Sequence, residues 1–263
     1  MPLTDPDRVN VVPTAARNFY VIYYGWLIRN PAGNPSEAAE AIAAARPAAL
    51  LAMFHTFSPR YPNLSVQVRE LLHAAGTRLF PYVDTDYGHR PLEQVVAEAV
   101  EYLDAGVDGI FFDRAYNFLD DGRGAYYAKL YEVVAGRGKT VVVNTGVAQC
   151  GEAIMDCTDI LMVEHDWRRL YHDDTWHAAY PAERFMGNSS NEPDADKFLG
   201  YRVDSERAVQ DTHEAWSNGV GWHTSTDRYI HLPGWFAAYV RTVSSTLAGG
   251  MADSTDRGEP PQP

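Results

Sequence analysis

The stretch Val107-Asp108-Gly109-Ile110-Phe111-Phe112-Asp113 is the most informative part of the chain, because a short apolar run there ends on a carboxylate. Two later stretches, Thr140–Asn144 (TVVVN) and Asp159–Glu164 (DILMVE), also end an apolar run on a polar, reactive side chain. Short apolar runs separated by helical patterns are typical of buried parallel strands. Side chains at the carboxyl ends of such strands face the mouth of a barrel or the crevice of an open sheet. We therefore expect the two carboxylates and the amide to surround one pocket.

The chain alternates strand and helix patterns about eight times, which is the count of a (β/α)8 barrel. We predict strands at Phe19–Tyr24, Ala48–Phe54, Arg78–Val83, Gly109–Asp113, Thr140–Asn144, Ile160–Glu164, Arg184–Asn188 and Gly221–Thr224. The helical patterns include Ser36–Ile42, Ser65–Ala75, Leu92–Asp104, Ala125–Val134, Ser205–Ser217 and Trp235–Leu247. A doubly wound sheet is the main alternative, but the chain lacks its Gly-rich phosphate-binding pattern. The predicted fold class is α/β, a single (β/α)8 TIM barrel over residues 1–248 with a disordered tail over residues 249–263.

Length and composition fit one domain and argue against several classes of partner. The 263 residues are 46% hydrophobic, enough to bury one sizeable core. The formal net charge is −13 and the sequence has no basic run, which argues against a nucleic-acid partner. No apolar stretch approaches the roughly 20 residues that a membrane helix needs. The amino terminus lacks a charged region followed by an apolar one, so we expect no secretory signal and a cytoplasmic protein.

The cysteines and the candidate metal ligands give weak signals. We expect the two cysteines, Cys150 and Cys157, to be inert thiols, and a bridge between them stays open. A metal site is conceivable from Asp84, Asp86, Asp113 and His223. However, no His-x-x-x-His pair or carboxylate cluster of metal-binding type accompanies these residues. We therefore predict neither a metal nor another cofactor.

Polar and aromatic side chains also follow the other predicted strands. We expect the following residues to bind the substrate: Tyr24, Trp26, Asp84, Tyr87, Arg114, Tyr116, Asn188, His223 and Asp227. Aromatic rings stack on the C–H faces of sugars, while amides, hydroxyls and carboxylates bind sugar hydroxyls, so the set favours a carbohydrate. Arg114 has a second interpretation, an ion pair with Asp86 or Asp120. His223 and Asp227 have another, as an acid/base pair.

A set of short motifs lies in order along nearly the whole chain. They are Asp84–Arg90 (DTDYGHR), Asp108–Asp113 (DGIFFD), Val143–Gly146 (VNTG), Val163-Glu164, and Thr226-Asp227 with Leu232-Pro233. Together they resemble the spherulin-4-like (spherulation-specific) family. This family, with the neighbouring endo-acting polygalactosaminidases, consists of barrel glycoside hydrolases that cut α-linked amino-sugar polymers. The resemblance implies that Asp113, Asn144 and Glu164 form the catalytic centre. One departure is Arg114, which stands where the family usually has a second acid.

The predicted reaction is cleavage of a glycosidic bond, of an amino sugar, by a pair of carboxylates. Asp113 and Glu164 would be the acid/base and the nucleophile or water-activating group, and Asn144 would position the sugar or its N-acetyl group. A separation of about 5–5.5 Å between the carboxyl groups favours retention, and about 6.5–9.5 Å favours inversion. The proton donor stays unassigned, because it depends on which carboxyl group is more desolvated.

Two alternatives keep the barrel. In one, the same acid and base isomerise, cyclise or eliminate within a small intracellular biosynthetic intermediate, and Arg114 binds its carboxylate or phosphate. In the other, the protein is a non-catalytic carbohydrate-binding barrel in which Arg114 marks a lost catalytic acid. The predicted partner is thus a small-molecule or oligosaccharide substrate, with no nucleic acid and no membrane. The sequence leaves the oligomeric state open.

Overall fold

The computed structural model describes residues 16–54, 63–119, 122–170, 176–191 and 203–253, without the side chains of residues 249–253. Within them, eight strands close into one parallel barrel in chain order. The strands are β1 (Asn18–Tyr23), β2 (Ala49–Ala52), β3 (Arg78–Asp84), β4 (Gly109–Asp113), β5 (Thr140–Asn144), β6 (Ile160–Met162), β7 (Phe185–Ser189) and β8 (Trp222–Ser225). The pairing of β8 with β1 closes the ring. The prediction of a single (β/α)8 barrel is confirmed.

Helices pack around the barrel. They are α1 (Glu37–Ala45), α2 (Val66–Ala74), α3 (Leu92–Asp104), α4 (Arg123–Ala135), α5 (Ser205–Ser217) and α6 (Phe236–Asp253). Among the described residues, short 3-10 segments take the place of a full helix after β5 and β6: Glu152–Cys157, Glu164–Arg169, Trp176–Ala179 and Ala182–Arg184. α6 continues beyond the predicted Leu247 to Asp253, and the rest of the predicted tail, residues 254–263, lies outside the described residues.

Polar side chains fix where several helices begin. The Ser36 and Ser65 hydroxyls accept hydrogen bonds from the backbone N–H groups of Ala39 and Val68, at the starts of α1 and α2. The Asp204 carboxylate does the same at the start of α5. Each such cap contributes about 1 kcal/mol, because it satisfies an N–H group that has no partner inside the helix. The capped helices begin within one residue of the starts that the sequence predicts.

Strand alternation sorts the side chains into two layers. The inner cluster fills the barrel with Tyr20, Ile22, Ala49, Leu51, Phe80, Phe111, Val142, Ile160, Met162, Met186 and Trp222. Intervening residues such as Val21, Leu50 and Ile110 belong to the larger cluster between the barrel and the helices. Polar residues follow the inner residues at a spacing of two: Asp84, Asp113, Asn144, Glu164 and Asn188. Alternation directs the strand residues among them to the inner face at the carboxyl end of the barrel. Glu164 lies beyond β6 and reaches the same place through its hydrogen bond with Asn144.

Two other predictions concern membranes and cysteines. In the part of the chain that the structure describes, no helix is long and apolar enough to cross a bilayer. Cys150 and Cys157 are both buried and unbridged, as expected. Burial raises the pKa of the Cys150 thiol to about 12, which keeps it protonated and unreactive at neutral pH.

Candidate active site at the carboxyl end of the barrel

The structure brings Asp113, Asn144 and Glu164 together around one amide nitrogen. Asn144 is 3% exposed at the end of β5, and its Nδ2 donates to Asp113 Oδ1 and to Glu164 Oε1, both at 2.6 Å. Asn144 Oδ1 accepts a hydrogen bond from the backbone N–H of Gly146 at 2.8 Å. Both hydrogens of the amide are therefore used on the two carboxylates. Asn144 thus orients the acidic pair, whereas the sequence predicts that it positions the sugar.

The shared nitrogen sets an upper limit on the separation of the carboxyl groups. Because Asp113 Oδ1 and Glu164 Oε1 each lie 2.6 Å from it, these two oxygens are at most twice 2.6 Å, or 5.2 Å, apart. The two oxygens are therefore closer than the roughly 6.5–9.5 Å typical of inverting glycosidases, and nearer to the roughly 5–5.5 Å typical of retaining ones. The geometry therefore resembles that of a nucleophile paired with an acid/base group.

The surroundings of Asp113 raise the pKa of its carboxyl group. Burial is the largest cause, and the nearby charge of Asp84 adds to it. Hydrogen bonds donated by the Asn144 amide, the backbone N–H of Arg114 and the Tyr82 hydroxyl favour the ionised form and oppose the rise. Asp113 consequently holds a proton to higher pH than an ordinary aspartate, a property expected of a group that exchanges protons during a reaction.

Several residues at this end of the barrel adopt a strained backbone. Among the described non-glycine residues, positive φ angles occur at Asp86 (48°), Tyr87 (55°), Arg114 (52°), Glu164 (47°) and Arg46 (51°). Arg46 ends α1, whereas the other four follow β3, β4 and β6 at the mouth. Such conformations cost about 1–3 kcal/mol each and cluster at functional sites. The left-handed conformation at Glu164 also begins the 3-10 segment Glu164–Arg169 directly after β6.

Tyrosine rings line the cluster. Tyr24 lies 5.6 Å from Tyr82 and 5.4 Å from Tyr229 between ring centroids. Burial, then the charge of Asp113, and further along the charge of Glu164, raise the pKa of Tyr24, so its hydroxyl stays neutral. Sequence reasoning missed Tyr82 and Tyr229. Alternation backward from Asp84 would have found Tyr82, but Tyr229 lies in the loop after β8, where no periodic signal exists.

Arg114 is already engaged by carboxylates. Its Nη1 lies 2.8 Å from Asp84 Oδ2, and its Nη2 pairs with Asp86 Oδ1. Its guanidinium carbon also lies 5.1 Å from the centroid of the Tyr87 ring. The predicted pair with Asp86 is confirmed, while Asp120, the other candidate partner, lies outside the described residues. Arg114 therefore ties the loop after β4 to the loop after β3.

Other predicted ligand-binding residues occupy different surroundings. Asn188 is buried on the inner face and donates to the Tyr229 hydroxyl at 3.1 Å. Trp26 is exposed, and the half-buried Tyr116 has the Arg123 guanidinium 3.8 Å from its ring centroid. Asp227 pairs with His231 at 3.3 Å.

The prediction for His223 is wrong in its placement. His223 lies on the outer face of β8, fully buried, with its Nδ1 2.9 Å from the Thr212 hydroxyl of α5. The preceding residue, Trp222, belongs to the inner cluster, so alternation directs His223 to the other face. His223 is therefore absent from the mouth and does not pair with Asp227. Within the described residues, no group of three or more His, Cys, Asp and Glu side chains has an arrangement that could hold a metal ion.

Comparisons with known proteins agree with this barrel and its motifs. The model of spherulation-specific family 4 matches residues 55–243. A search of curated proteins gives no match. Among solved structures, Aspergillus clavatus Sph3 in complex with GalNAc has a TM-score of 0.60 at 16% identity, covering 86% of this chain and 96% of that one.

Two further solved structures show how widely the fold is shared. The endo-beta-N-acetylglucosaminidase from Cordyceps militaris has a TM-score of 0.58 at 11% identity, covering 89% of this chain and 90% of that one. Deoxyribose phosphate aldolase from Aeropyrum pernix has a TM-score of 0.54 at 13% identity, covering 89% and 92%. At these identities the likeness concerns the fold alone, so the chemistry has to be argued from the site.

Proposed function

Because the chain belongs to spherulation-specific family 4, we propose that it is a glycoside hydrolase that cleaves a glycosidic bond of an amino sugar. Asp113 and Glu164 act as the carboxylate pair, and Asn144 holds them in position. The observation that carries the proposal is the single amide nitrogen that donates to both carboxylates at 2.6 Å. A neutral donor between two acids keeps them close without supplying a positive charge that would pair with either one.

The separation of the two acids supports retention of configuration. One carboxylate attacks the anomeric carbon while the other protonates the leaving oxygen, and the second group then activates water against the glycosyl-enzyme intermediate. The raised pKa of Asp113 supports proton transfer by that residue. The three hydrogen bonds that its carboxylate accepts would equally suit a nucleophile. Azide rescue of Asp113→Ala and Glu164→Ala distinguishes the two roles. In the variant that lacks the nucleophile, azide attacks the substrate itself and gives a glycosyl azide of inverted configuration. In the variant that lacks the acid/base group, azide attacks the glycosyl-enzyme intermediate and gives a glycosyl azide of retained configuration.

Charge at the mouth supports an amino sugar. Asp84, Asp86, Asp113 and Glu164 bring four carboxyl groups to one end of the barrel, and the guanidinium of Arg114 lies between two of them. An acidic cleft favours N–H donors and ammonium groups over anions. The solved complex of Sph3 contains GalNAc, which is an amino sugar. The alternative in which Arg114 binds an anionic intermediate has less support, because Asp84 and Asp86 already occupy that guanidinium.

The direct test is incubation of the full chain with α-linked oligomers of galactosamine and of N-acetylgalactosamine, with mass detection of shorter products. We expect cleavage by the wild type and its loss in Asp113→Asn and Glu164→Gln. Asp104→Asn is the matched control, since it makes the same change at an exposed carboxylate of α3 that pairs with Arg137 away from the mouth. Full activity in either of the first two variants would overturn the assignment. NMR of the first product anomer should show retention.

A further inference from the structure

Asp84 and Asp113 lie side by side at the ends of neighbouring strands. The strand register pairs Asp84 of β3 with Asp113 of β4, and each follows a residue of the inner layer at a spacing of two. Both carboxyl groups therefore face the mouth. Burial raises the pKa of Asp113 most, and the charge of Asp84 adds to the rise. A group that compensates the charge of Asp84 consequently acts on Asp113 as well.

The guanidinium of Arg114 supplies this compensation. Its Nη1 lies 2.8 Å from Asp84 Oδ2, and its Nη2 pairs with Asp86 Oδ1. The other oxygen of Asp84, Oδ1, accepts a hydrogen bond from the backbone N–H of Asp86 at 2.7 Å. Both oxygens of Asp84 are thus engaged by protein groups. Since Arg114 stands where the family usually has an acid, this cation is a property of this chain.

The backbone of Arg114 acts on Asp113 directly. Its φ angle of 52° is left-handed, and in this conformation its N–H donates to the Asp113 carboxyl group. The carbonyl of Arg114 accepts from the Thr85 hydroxyl at 2.9 Å and from the backbone N–H of Tyr87 at 2.7 Å. The Thr85 N–H also donates to the carbonyl of Asp113 at 3.1 Å. The loop after β3 therefore holds the peptide groups on both sides of Arg114 in an unfavourable conformation.

The other hydrogen-bond donors to Asp113 are neutral. They are the Asn144 amide and the Tyr82 hydroxyl. Among the described residues, the titratable or charged groups that face Asp113 are Tyr24, Tyr82, Asp84, Arg114 and Glu164. Arg114 is the cation of that set, and it reaches Asp113 through Asp84. The charge balance around Asp113 therefore depends on the ion pair between Arg114 and Asp84.

We propose that Arg114 is a positioning residue for Asp113, which it orients with its backbone N–H while its guanidinium compensates the charge of Asp84. The catalytic role of Asp113 comes from the proposed function, on which this inference rests. Both ion pairs of Arg114 are partly exposed to solvent, so they contribute little to stability. Loss of the guanidinium should instead be felt at Asp113, which holds its proton to higher pH when Asp84 is uncompensated.

The test follows the ionisation of Asp113 by NMR titration of the full chain, labelled with carbon-13 at the aspartate carboxyl carbons. The Asp113→Asn protein assigns the resonance. We expect Arg114→Gln to raise the pKa of Asp113 and Asp84→Asn to lower it. In the Asp84→Asn background, Arg114→Gln should have little further effect, because the guanidinium acts through Asp84. Arg114→Lys keeps a positive charge and should restore most of the wild-type titration.

Glycine and alanine at position 114 separate the backbone from the charge. Glycine adopts a positive φ without strain, so Arg114→Gly keeps the N–H in place and removes the guanidinium. Arg114→Ala removes the guanidinium and also disfavours the left-handed conformation. With α-linked N-acetylgalactosamine oligomers as substrates, the limb of the pH–rate profile that reports Asp113 should move to higher pH in both variants. We expect kcat to be about tenfold lower in Arg114→Ala than in Arg114→Gly, with similar KM, because Asp113 is less well aligned.

Arg137→Gln is the matched control for the loss of a guanidinium. Arg137 follows α4, pairs with Asp104 and is 41% exposed, against 43% for Arg114. The control should leave kcat and the titration of Asp113 unchanged. Melting temperatures should stay near that of the wild type in these variants, because surface ion pairs contribute little. Should Arg114→Gln fail to fold, Arg114→Gly and Asp84→Asn test the same charge effect.

The outcomes distinguish this inference from the proposed function. If the titration of Asp113 is unchanged in Arg114→Gln and Asp84→Asn, the inference is wrong, whether or not oligomers are cleaved. An equal effect of Arg114→Gln with and without Asp84 would overturn the route through Asp84. Equal kcat in Arg114→Gly and Arg114→Ala would overturn the role of the backbone N–H. If the titrations move as expected and no oligomer is cleaved, Arg114 still controls Asp113 and hydrolysis is overturned.

Discussion

Two clusters of buried polar residues lie on opposite faces of the barrel wall, and they differ in the groups that surround the buried carboxylates. At the mouth, Asp113 and Glu164 meet at the neutral amide of Asn144 on the inner face. Behind the wall, Asp211 of α5 is fully buried and lies 2.7 Å from both Arg168 and Arg207. The outer carboxylate is compensated by two guanidinium groups, whereas the inner carboxylates are brought close to each other.

The contrast shows that burial of a charged or titratable group is not evidence of function by itself. Buried charges are tolerated when they are paired, as at Asp211, and such pairs connect elements of the fold. Two acids held against each other raise the free energy of the folded state, so their proximity calls for another explanation, and catalysis supplies one. The comparison predicts that changes at the mouth cost activity, while changes behind the wall cost stability.

The largest expected effect is that of Glu164→Gln on turnover. Removing one member of an acid/base or nucleophile pair should lower kcat by about 10²–10⁴-fold or more, because the remaining group cannot carry both steps. The melting temperature should change little, since glutamine has the same size and keeps an oxygen to accept from Asn144. Steady-state kinetics and a thermal melt check the two halves of this prediction. If Glu164→Gln lowers the melting temperature but its folded fraction keeps the specific activity of the wild type, Glu164 stabilises the fold and does not take part in catalysis.

Asp211→Ala should have the reverse profile. It leaves the guanidinium groups of Arg168 and Arg207 without their shared carboxylate in a partly buried position. We expect a loss of about 3 kcal/mol in the free energy of unfolding, at the low end for broken buried pairs because both arginines keep some solvent contact. Urea denaturation measures the loss, and kcat of the folded fraction should stay within about twofold. If Asp211→Ala lowers kcat and leaves the free energy of unfolding unchanged, the two faces of the barrel wall do not differ in the way proposed.

Asn144→Ala sharpens the comparison at the mouth. Without the shared donor, the two carboxylates lose their common anchor, and we expect kcat to fall about tenfold to a hundredfold with a smaller change in KM. The Asn144 hydrogen bond favours the ionised form of Asp113, so its removal should raise the pKa of Asp113 further. The limb of the pH–rate profile that reports Asp113 should therefore move to higher pH. If both limbs of the pH–rate profile stay at the wild-type pH values, Asn144 does not influence the ionisation of Asp113 and has only a packing role.

Much of this arrangement follows from the sequence. The apolar runs predict all eight strands to within one or two residues at most ends, and the period of two places Asp113, Asn144 and Glu164 on one face. His223 shows the limit of the same rule. It directly follows the inner Trp222, and a shift by one position moves a side chain to the other side of the sheet.

Residues outside regular elements were beyond sequence reasoning. After β5 and β6 the chain forms short 3-10 segments where a full α-helix would be expected in this fold. Their side chains show no clear hydrophobic period, so the sequence does not reveal whether a helix forms there. The contact of Tyr229 with Tyr24 depends on how the loop after β8 folds back, with the Tyr24 N–H donating to the Tyr229 carbonyl at 2.6 Å. The role of Arg114 as a tie between two loops depends on its left-handed backbone, which the sequence does not reveal.

The smallest predicted effect is on stability. Replacement by asparagine should raise the melting temperature at Asp113 and lower it at Asp211. The folded state raises the pKa of Asp113, mainly through burial, above the value of about 3.9 expected in the unfolded chain. Below that unfolded value both states carry the proton and there is no penalty. Above the folded pKa the ionised group costs free energy in the folded state. Asp113→Asn removes this cost, so it should raise the melting temperature at pH 7.5 by about 2–4 °C, corresponding to roughly 1 kcal/mol, and the gain should vanish as the pH falls below about 4.

Asp211→Asn should lower the melting temperature at pH 7.5, because it gives up two ion pairs. Thermal melts of both variants across pH measure the two signs, and a loss of stability in Asp113→Asn at pH 7.5 would mean that Asp113 is a structural carboxylate like Asp211.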